Sequence, residues 1–347
     1  MKAQATLILG IIITLLSALP ASVGPTTAHA KGPVELELLG VQKVWDKAPH
    51  NAFTDLVRFK GKWYLTFREA KCHMYTAPAG DIRVLTSEDG ENWESAALIK
   101  YGTDSDDLRD SKLSVTPDGK LMMVCALAPK ENHKTRQSYA YLSDDGVNWK
   151  GPHKVGEFDW WMWRVVWSPD GTAYGLGYGR EGKDKNSILR LYRSKDGIKY
   201  KTFLSRMAPQ DRVNEAAMIF RPDGSAVVLI RRDGKGPTNA VVGTSKGGDF
   251  SKWTFKELEQ RIGGPQIVEI PGGHILASGR LYDGKVRTSV GLLEPEAGKF
   301  TELLKLPSGG DTSYPGMVFH DGILWVSYYA SHEGRTSIYL AKIKVKE

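Results

Sequence analysis

Residues able to do acid–base, nucleophilic or ion-pairing chemistry recur along this 347-residue chain at matching places, each time beside a short apolar segment and a tight turn. In chain order they are His50, Asn51, Asp55, Arg68, Glu69 and His73, then Asp107, Arg109 and Asp110, then Trp160, Trp161, Trp163 and Arg164. They continue with Asn214, Glu215, Arg231, Arg232 and Asp233, then Arg280 and Arg287, then Asp311, Tyr314, His332 and Glu333. One arginine alone is most often a solvated surface charge. Several arginines entering from different repeats are harder to treat that way. A guanidinium stays charged at any working pH and grips a carboxylate through two parallel N–H bonds. A ring of them implies an anionic ligand, with the tryptophans as a platform for the face of a sugar. No His, Cys or carboxylate group has metal-ligand spacing. Gly247-Gly248 and Gly263-Gly264-Pro265 lack a P-loop or Rossmann context, and Ser313 has no His/Asp relay. Neither metal nor cofactor is expected.

The elements that carry these residues are set by six turns: Lys60-Gly61-Lys62, Pro117-Asp118-Gly119, Pro169-Asp170-Gly171, Pro222-Asp223-Gly224, Pro271-Gly272-Gly273 and Asp321-Gly322. Their spacing of roughly fifty residues falls in the range of propeller blades. Gly supplies the φ > 0 position, and Asp-Gly between apolar runs signals a hairpin. An apolar strand precedes each turn and another follows it, as at 316–320 and 323–329. A third strand ends, in the first three units, in Ser87-Glu88-Asp89-Gly90-Glu91-Asn92-Trp93, Ser143-Asp144-Asp145-Gly146-Val147-Asn148-Trp149 and Ser194-Lys195-Asp196-Gly197-Ile198-Lys199-Tyr200. There Ser and Asp bond the turn backbone and the aromatic packs inward, which is a structural role. The last unit runs out of chain before its fourth strand, and 34–44 is strand-like and otherwise unassigned. The expected fold is all-β: a six-bladed β-propeller with four-stranded blades, the ring closed by an N-terminal strand in the last blade. The chemistry is expected on loops, just before the first strand and just after the second.

Met1-Lys2, an apolar run from Ala5 to about Leu19, and Ala28-His29-Ala30 read as a signal peptide over 1–30. The run is shorter than the ~20 residues of a membrane span. Export to a periplasm or the extracellular space is expected, with no integral span after cleavage and one domain over 31–347. The net charge of +7 comes from interspersed residues; it favours acidic glycans and is too diffuse for nucleic acid. A monomer is expected. Cys72 and Cys125 allow one bridge or two thiols.

The Ser-x-Asp-Gly-x-x-Trp turns resemble the Asp boxes of the sialidase (neuraminidase) superfamily, one residue shorter than the usual form. The resemblance extends over essentially the whole mature chain. Asn214-Glu215-Ala216-Ala217-Met218-Ile219-Phe220-Arg221-Pro222-Asp223-Gly224, running to Leu229-Ile230-Arg231, is similar to the sialidase segment that carries the catalytic glutamate and a carboxylate-binding arginine. The resemblance implies an exo-acting, retaining glycoside hydrolase for a terminal acidic sugar. It implies Tyr314 as nucleophile, Glu215 as its base, and Arg231 and Arg287 as the carboxylate clamp. A carboxylate nucleophile would be repelled by the carboxylate on the anomeric carbon of a sialic acid, and a tyrosine is not. A tyrosine needs a base beside it, its ordinary pKa being near ~10.

Two departures stand out. His50-Asn51-Ala52-Phe53-Thr54 replaces the family's Arg-Ile-Pro segment, which leaves Arg68 or Arg280 to assist the clamp. The loop that holds the family's acid/base aspartate offers His73 or Asp81, with Asp107 and Asp110 in reach from the second unit. Arg109, Asp110, Trp163 and Arg164 complete the substrate-binding set. Two further functions use the same residues: an acidic-glycan-binding propeller without turnover, and a glycosidase or lyase acting on uronate-containing polysaccharide.

Overall fold

The six turns fold the chain into antiparallel hairpins, and successive hairpins stack around a ring. The computed structural model describes residues 32–74, 78–129, 136–181 and 186–346; the segment 1–30, expected to be a signal peptide, lies outside them. Blade one comprises His50–Phe59, Lys62–Ala70, Asp81–Ser87 and Glu94–Ile99. Blade two comprises Asp106–Val115, Leu121–Pro129, Gln137–Ser143 and Trp149–Val155. Blade three comprises Trp161–Trp167, Ala173–Gly179, Ile188–Ser194 and Lys201–Leu204. Blade four comprises Val213–Phe220, Ala226–Arg232, Val241–Ser245 and Thr254–Glu257. Blade five comprises Ile262–Glu269, Ile275–Leu281, Arg287–Glu294 and Lys299–Lys305. Blade six takes Thr312–His320, Ile323–Glu333 and Arg335–Lys346, with Glu35–Trp45 as its outer strand. That outer strand runs antiparallel to the last one, from Glu35 opposite Lys346 to Trp45 opposite Ile338, and closes the ring.

Apolar residues fill the seams between blades. Leu276 and Val290 of blade five pack with Val326, Tyr328 and Ile343 of blade six. The Ser-Asp-Gly turns fasten neighbouring blades together. Asp145 Oδ1 accepts Ser143 Oγ and the backbone N–H of Val147 and Asn148 at 2.8–3.0 Å. These donors hold its carboxyl well below the usual range. Gly146, at φ 77°, lies against Tyr64 of blade one so closely that a Cβ would sit 2.1 Å from the ring, and Tyr64 Oη donates to Asp145 O at 2.8 Å. Cys125 is a buried thiol whose Sγ approaches Tyr139 O at 3.8 Å, and no bridge joins it to Cys72.

One irregularity positions the site. The inner strand of every blade slips register once, at the same level: between Ala52 and Asp55, Arg109 and Lys112, Met162 and Arg164, Val213 and Ala216, Gly263 and Gln266, and Ser313 and Gly316. Each slip is a bulge that inserts one residue and re-aims its side chain. Phe53, Asp110, Gly264 and Tyr314 take left-handed φ there, between 50° and 65°. The chemistry expected on loops before the first strands lies inside those strands, at their bulges.

Candidate active site

Four of the other bulges converge on the one in blade six. Tyr314 Oη donates to Glu215 Oε1 of blade four at 2.6 Å. Phe53 of blade one and Trp163 of blade three pack on the Tyr314 ring, with centroids at 5.2 and 5.6 Å. Gly264 of blade five presents bare backbone: a Cβ there would lie 2.9 Å from the Tyr314 ring. Thr54 Oγ1 donates to Tyr314 O at 2.7 Å and fixes the strained segment from below. Arg231 completes the nest, donating from Nη1 to Glu215 Oε2 at 2.5 Å and to Tyr314 Oη at 3.0 Å. Its Nη2 pairs with Asp233. Phenol, carboxylate and guanidinium thus form a closed triangle, with Tyr314 only 9% exposed. Burial and the neighbouring Glu215 hold the phenol proton on well above the ordinary tyrosine range, and Arg231 pulls the other way.

A second cluster lies beside the triangle. Arg280 Nε donates to Thr312 O at 2.6 Å, its Nη2 reaches Tyr329 Oη at 3.0 Å, and its guanidinium stands 5.9 Å from the Tyr314 ring. Asp311 gathers the rest. Its Oδ1 accepts Tyr329 Oη at 2.9 Å and Arg280 Nη2 at 3.3 Å. Its Oδ2 lies 3.0 Å from His50 Nε2 and 2.6 Å from His73 Nδ1. His50, His73 and Asp311 are a potential metal-ligating trio; the two histidines flank the first hairpin of blade one, where His50 pairs with Ala70, and Asp311 joins them from blade six. Each histidine hydrogen-bonds the Asp311 carboxylate. These partners hold the Asp311 carboxyl well below its usual range against the opposing effect of burial. Burial, in turn, holds His50 below the usual imidazole range.

Blade two contributes a charged layer that faces blade one. Arg68 Nε donates to Asp107 Oδ1 at 2.7 Å, both side chains being fully buried, and Arg109 Nε lies 2.9 Å from Asp107 Oδ2. Gly80 N also donates to Asp107, at 2.9 Å. Arg164 forms a two-point pair with Asp55 at 3.1 and 3.3 Å. Lys112 Nζ donates to Thr54 O at 2.9 Å, and burial lowers its pKa to about 8. Asp110 lies among these groups, and among the described residues no hydrogen bond or ion pair reaches its carboxyl.

Several residues singled out in the sequence are placed elsewhere. Arg287 donates twice to Glu302 at 2.7 Å and pairs with Asp283, on the flank of blade five; Arg280 takes the place beside Tyr314. Asp81 pairs with Lys100 at 3.3 Å and lines a different hollow, with Ala48, Glu69 and Asp104. Arg68 and Arg164 are consumed by buried ion pairs, so neither is free to clamp a ligand. The tryptophans form no open platform: Trp163 is buried under Tyr314, Trp161 stacks on Tyr178, and Arg190 covers Trp160 at 3.7 Å. His73 sits at the rim, 46% exposed, anchored by Asp311.

No protein-family model matches this sequence, and no curated protein matches it. Solved structures do. A protein of unknown function from Dyadobacter fermentans superposes with a TM-score of 0.76 at 19% identity, over 90% of this chain and 99% of that one. The GH93 α-L-arabinofuranosidase of Fusarium graminearum, in complex with arabinobiose, gives 0.69 at 12% identity, over 85% of this chain and 93% of that one. Trypanosoma rangeli sialidase with sialic acid gives 0.66 at 13% identity, over 90% of this chain and 59% of that one. The likeness is one of fold. This chain spans a little over half of the sialidase and nearly the whole of the other two.

Proposed function

We propose that the protein is an exported, monomeric, exo-acting glycoside hydrolase of the sialidase type, removing a terminal acidic sugar with retention. The observation that carries this reading is the triangle of Tyr314, Glu215 and Arg231. Glu215 takes the Tyr314 proton as the phenolate oxygen attacks the anomeric carbon. Arg231 favours the developing phenolate, and together with Arg280 it supplies positive charge for the substrate carboxylate. A covalent glycosyl–Tyr314 intermediate forms and is then hydrolysed by water. Likeness of fold to two propeller glycosidases is compatible with this chemistry and does not select it.

The test is hydrolysis of a fluorogenic N-acetylneuraminic acid aryl glycoside by the mature protein and by Tyr314→Phe. Removal of the nucleophile is expected to lower kcat by about 10³-fold or more. A Phe variant at full rate would refute the nucleophile. Cleavage after Ala30 is tested in the same preparation by N-terminal sequencing of exported protein.

A second reading is favoured by one observation: Arg287 is bound to Glu302 and Arg68 to Asp107, and Phe53 occupies the blade-one bulge, so the arginines beside Tyr314 are Arg231 and Arg280, each already carrying an acid. A site with that charge balance suits a neutral sugar as well. Glu215 would then be the nucleophile, oriented by Tyr314 and Arg231. Turnover of an aryl α-L-arabinofuranoside that survives Tyr314→Phe would favour it.

A further inference from the structure

We propose that Asp110 is the proton donor of this site, delivering its carboxyl proton to the oxygen of the departing group. The assignment rests on the glycoside hydrolase reading, and it holds whether Tyr314 or Glu215 is the nucleophile.

Asp110 is the bulge residue of blade two, at the level from which Phe53, Trp163, Glu215, Gly264 and Tyr314 meet. Its φ of 56° is a conformation that aspartate tolerates at some strain, of order 1 kcal/mol. A residue held there is aimed by the fold and not by local preference.

Asp55, Asp107, Asp233 and Asp311 each accept at least two hydrogen bonds or ion pairs. Asp110 accepts none among the described residues, yet it is only 8% exposed. Burial of a carboxylate without a partner disfavours its ionised form. The charged groups around it are Arg109 and Lys112 on its own strand, Arg68 of blade one and Glu215 of blade four. Tyr314 and Tyr329 of blade six and Tyr178 of blade three also feel its charge. Burial outweighs the cations and raises its pKa, with Glu215 adding to the rise.

His73 is tied to Asp311, Asp81 is turned to Lys100, and Asp107 is held as an ion-paired carboxylate by Arg68 and Arg109, with Gly80 N also donating to it. Two acidic groups whose surroundings differ in this way take different roles, one as proton donor and one as the nucleophile or its base.

The proton balance closes. The Asp110 proton goes to the leaving oxygen as the glycosidic C–O bond breaks and the bond from the nucleophile to the anomeric carbon forms. In the second step the Asp110 carboxylate takes a proton from water, whose oxygen attacks the anomeric carbon and displaces the enzyme nucleophile. Both groups return to their starting states.

The experiment compares wild type, Asp110→Asn and Asp110→Ala on two glycosides of one sugar, with a dinitrophenyl and with an alkyl leaving group. The variants are expected to lose about 10²–10⁴-fold in kcat/KM on the alkyl glycoside and far less on the dinitrophenyl one, which leaves without protonation. Added azide is expected to restore turnover of the dinitrophenyl glycoside by Asp110→Ala. The basic limb of the wild-type pH profile should vanish in Asp110→Asn. Equal losses on both glycosides, with no rescue by azide, would overturn the assignment. Thermal melts separate a structural role. A carboxyl with a raised pKa opposes folding as pH climbs above its unfolded value of ~3.9, so Asp110→Asn is expected to melt at or above wild type at pH 7, with no gain near pH 3. A melt well below wild type at pH 7 would mark the residue as structural. Wild-type protein that turns over neither glycoside, with N-acetylneuraminic acid or L-arabinofuranose as the sugar, would remove the hydrolase reading itself, and no variant is needed to see that.

Discussion

Tyr314 and Glu215 are 99 residues apart and share one short hydrogen bond. Buried polar groups of this kind fix side chains in one arrangement when every partner is present, and they are costly when one is lost. Asp311, partly buried, gathers the most partners outside the triangle, because it accepts from His50, His73, Tyr329 and Arg280. Asp311→Asn is expected to destabilise the protein by about 2 kcal/mol at pH 7. The Asp311 carboxyl titrates below its usual range, so its contribution is complete above about pH 4 and is lost as pH falls further. Melts of the two proteins should converge in acid, and a gap that stays constant down to pH 2 would contradict this. At this scale the sequence was only partly legible. Tyr314, Glu215 and Arg231 stood out because motif and chemistry pointed to the same residues. Arg287 and Arg280 differ by a few positions on adjacent strands, and spacing did not reveal that Glu302 would hold one of them. The blade-one hairpin brings His50 and His73 together, but the arrival of Asp311 between them from blade six is a tertiary fact with no local signal.

At the scale of the element, six bulges at one level do what loops were expected to do. A bulge keeps the strand paired on both sides, so its inserted residue is held more rigidly than a loop residue would be. Gly264 shows how tight this is. Its φ is 54° and the Tyr314 ring lies against its backbone. Gly264→Ala would push that ring aside, and a shift of about 1 Å in a reacting group costs on the order of 10²-fold in rate. A loss of that size in kcat, with only a modest fall in melting temperature, is expected. Unchanged kcat would show that the ring position does not matter. Bulges were not legible in the sequence, because a one-residue insertion leaves the apolar pattern on both sides intact. The turns were legible: Gly at φ > 0 and Ser/Asp bonded to turn backbone leave a local signature.

For the whole molecule, repetition made the ring readable. Six units of similar length, each too small to bury its own faces, require neighbours, and the unassigned segment at 34–44 had one vacancy to fill, beside Arg335–Lys346. Repetition fixes how many blades there are and where their inner strands begin. It is silent on what the centre accepts, because that depends on a few side chains that differ from blade to blade. The most direct measurement is mass spectrometry of the mature protein after incubation with a 2,3-difluorinated sialic acid, whose fluorines speed attack on the anomeric carbon and slow release of the adduct. A single glycosyl adduct on the peptide containing Tyr314, absent in Tyr314→Phe, is the expected result. An adduct on Glu215, or steady turnover of sialosides with no adduct at Tyr314, would contradict the tyrosine mechanism.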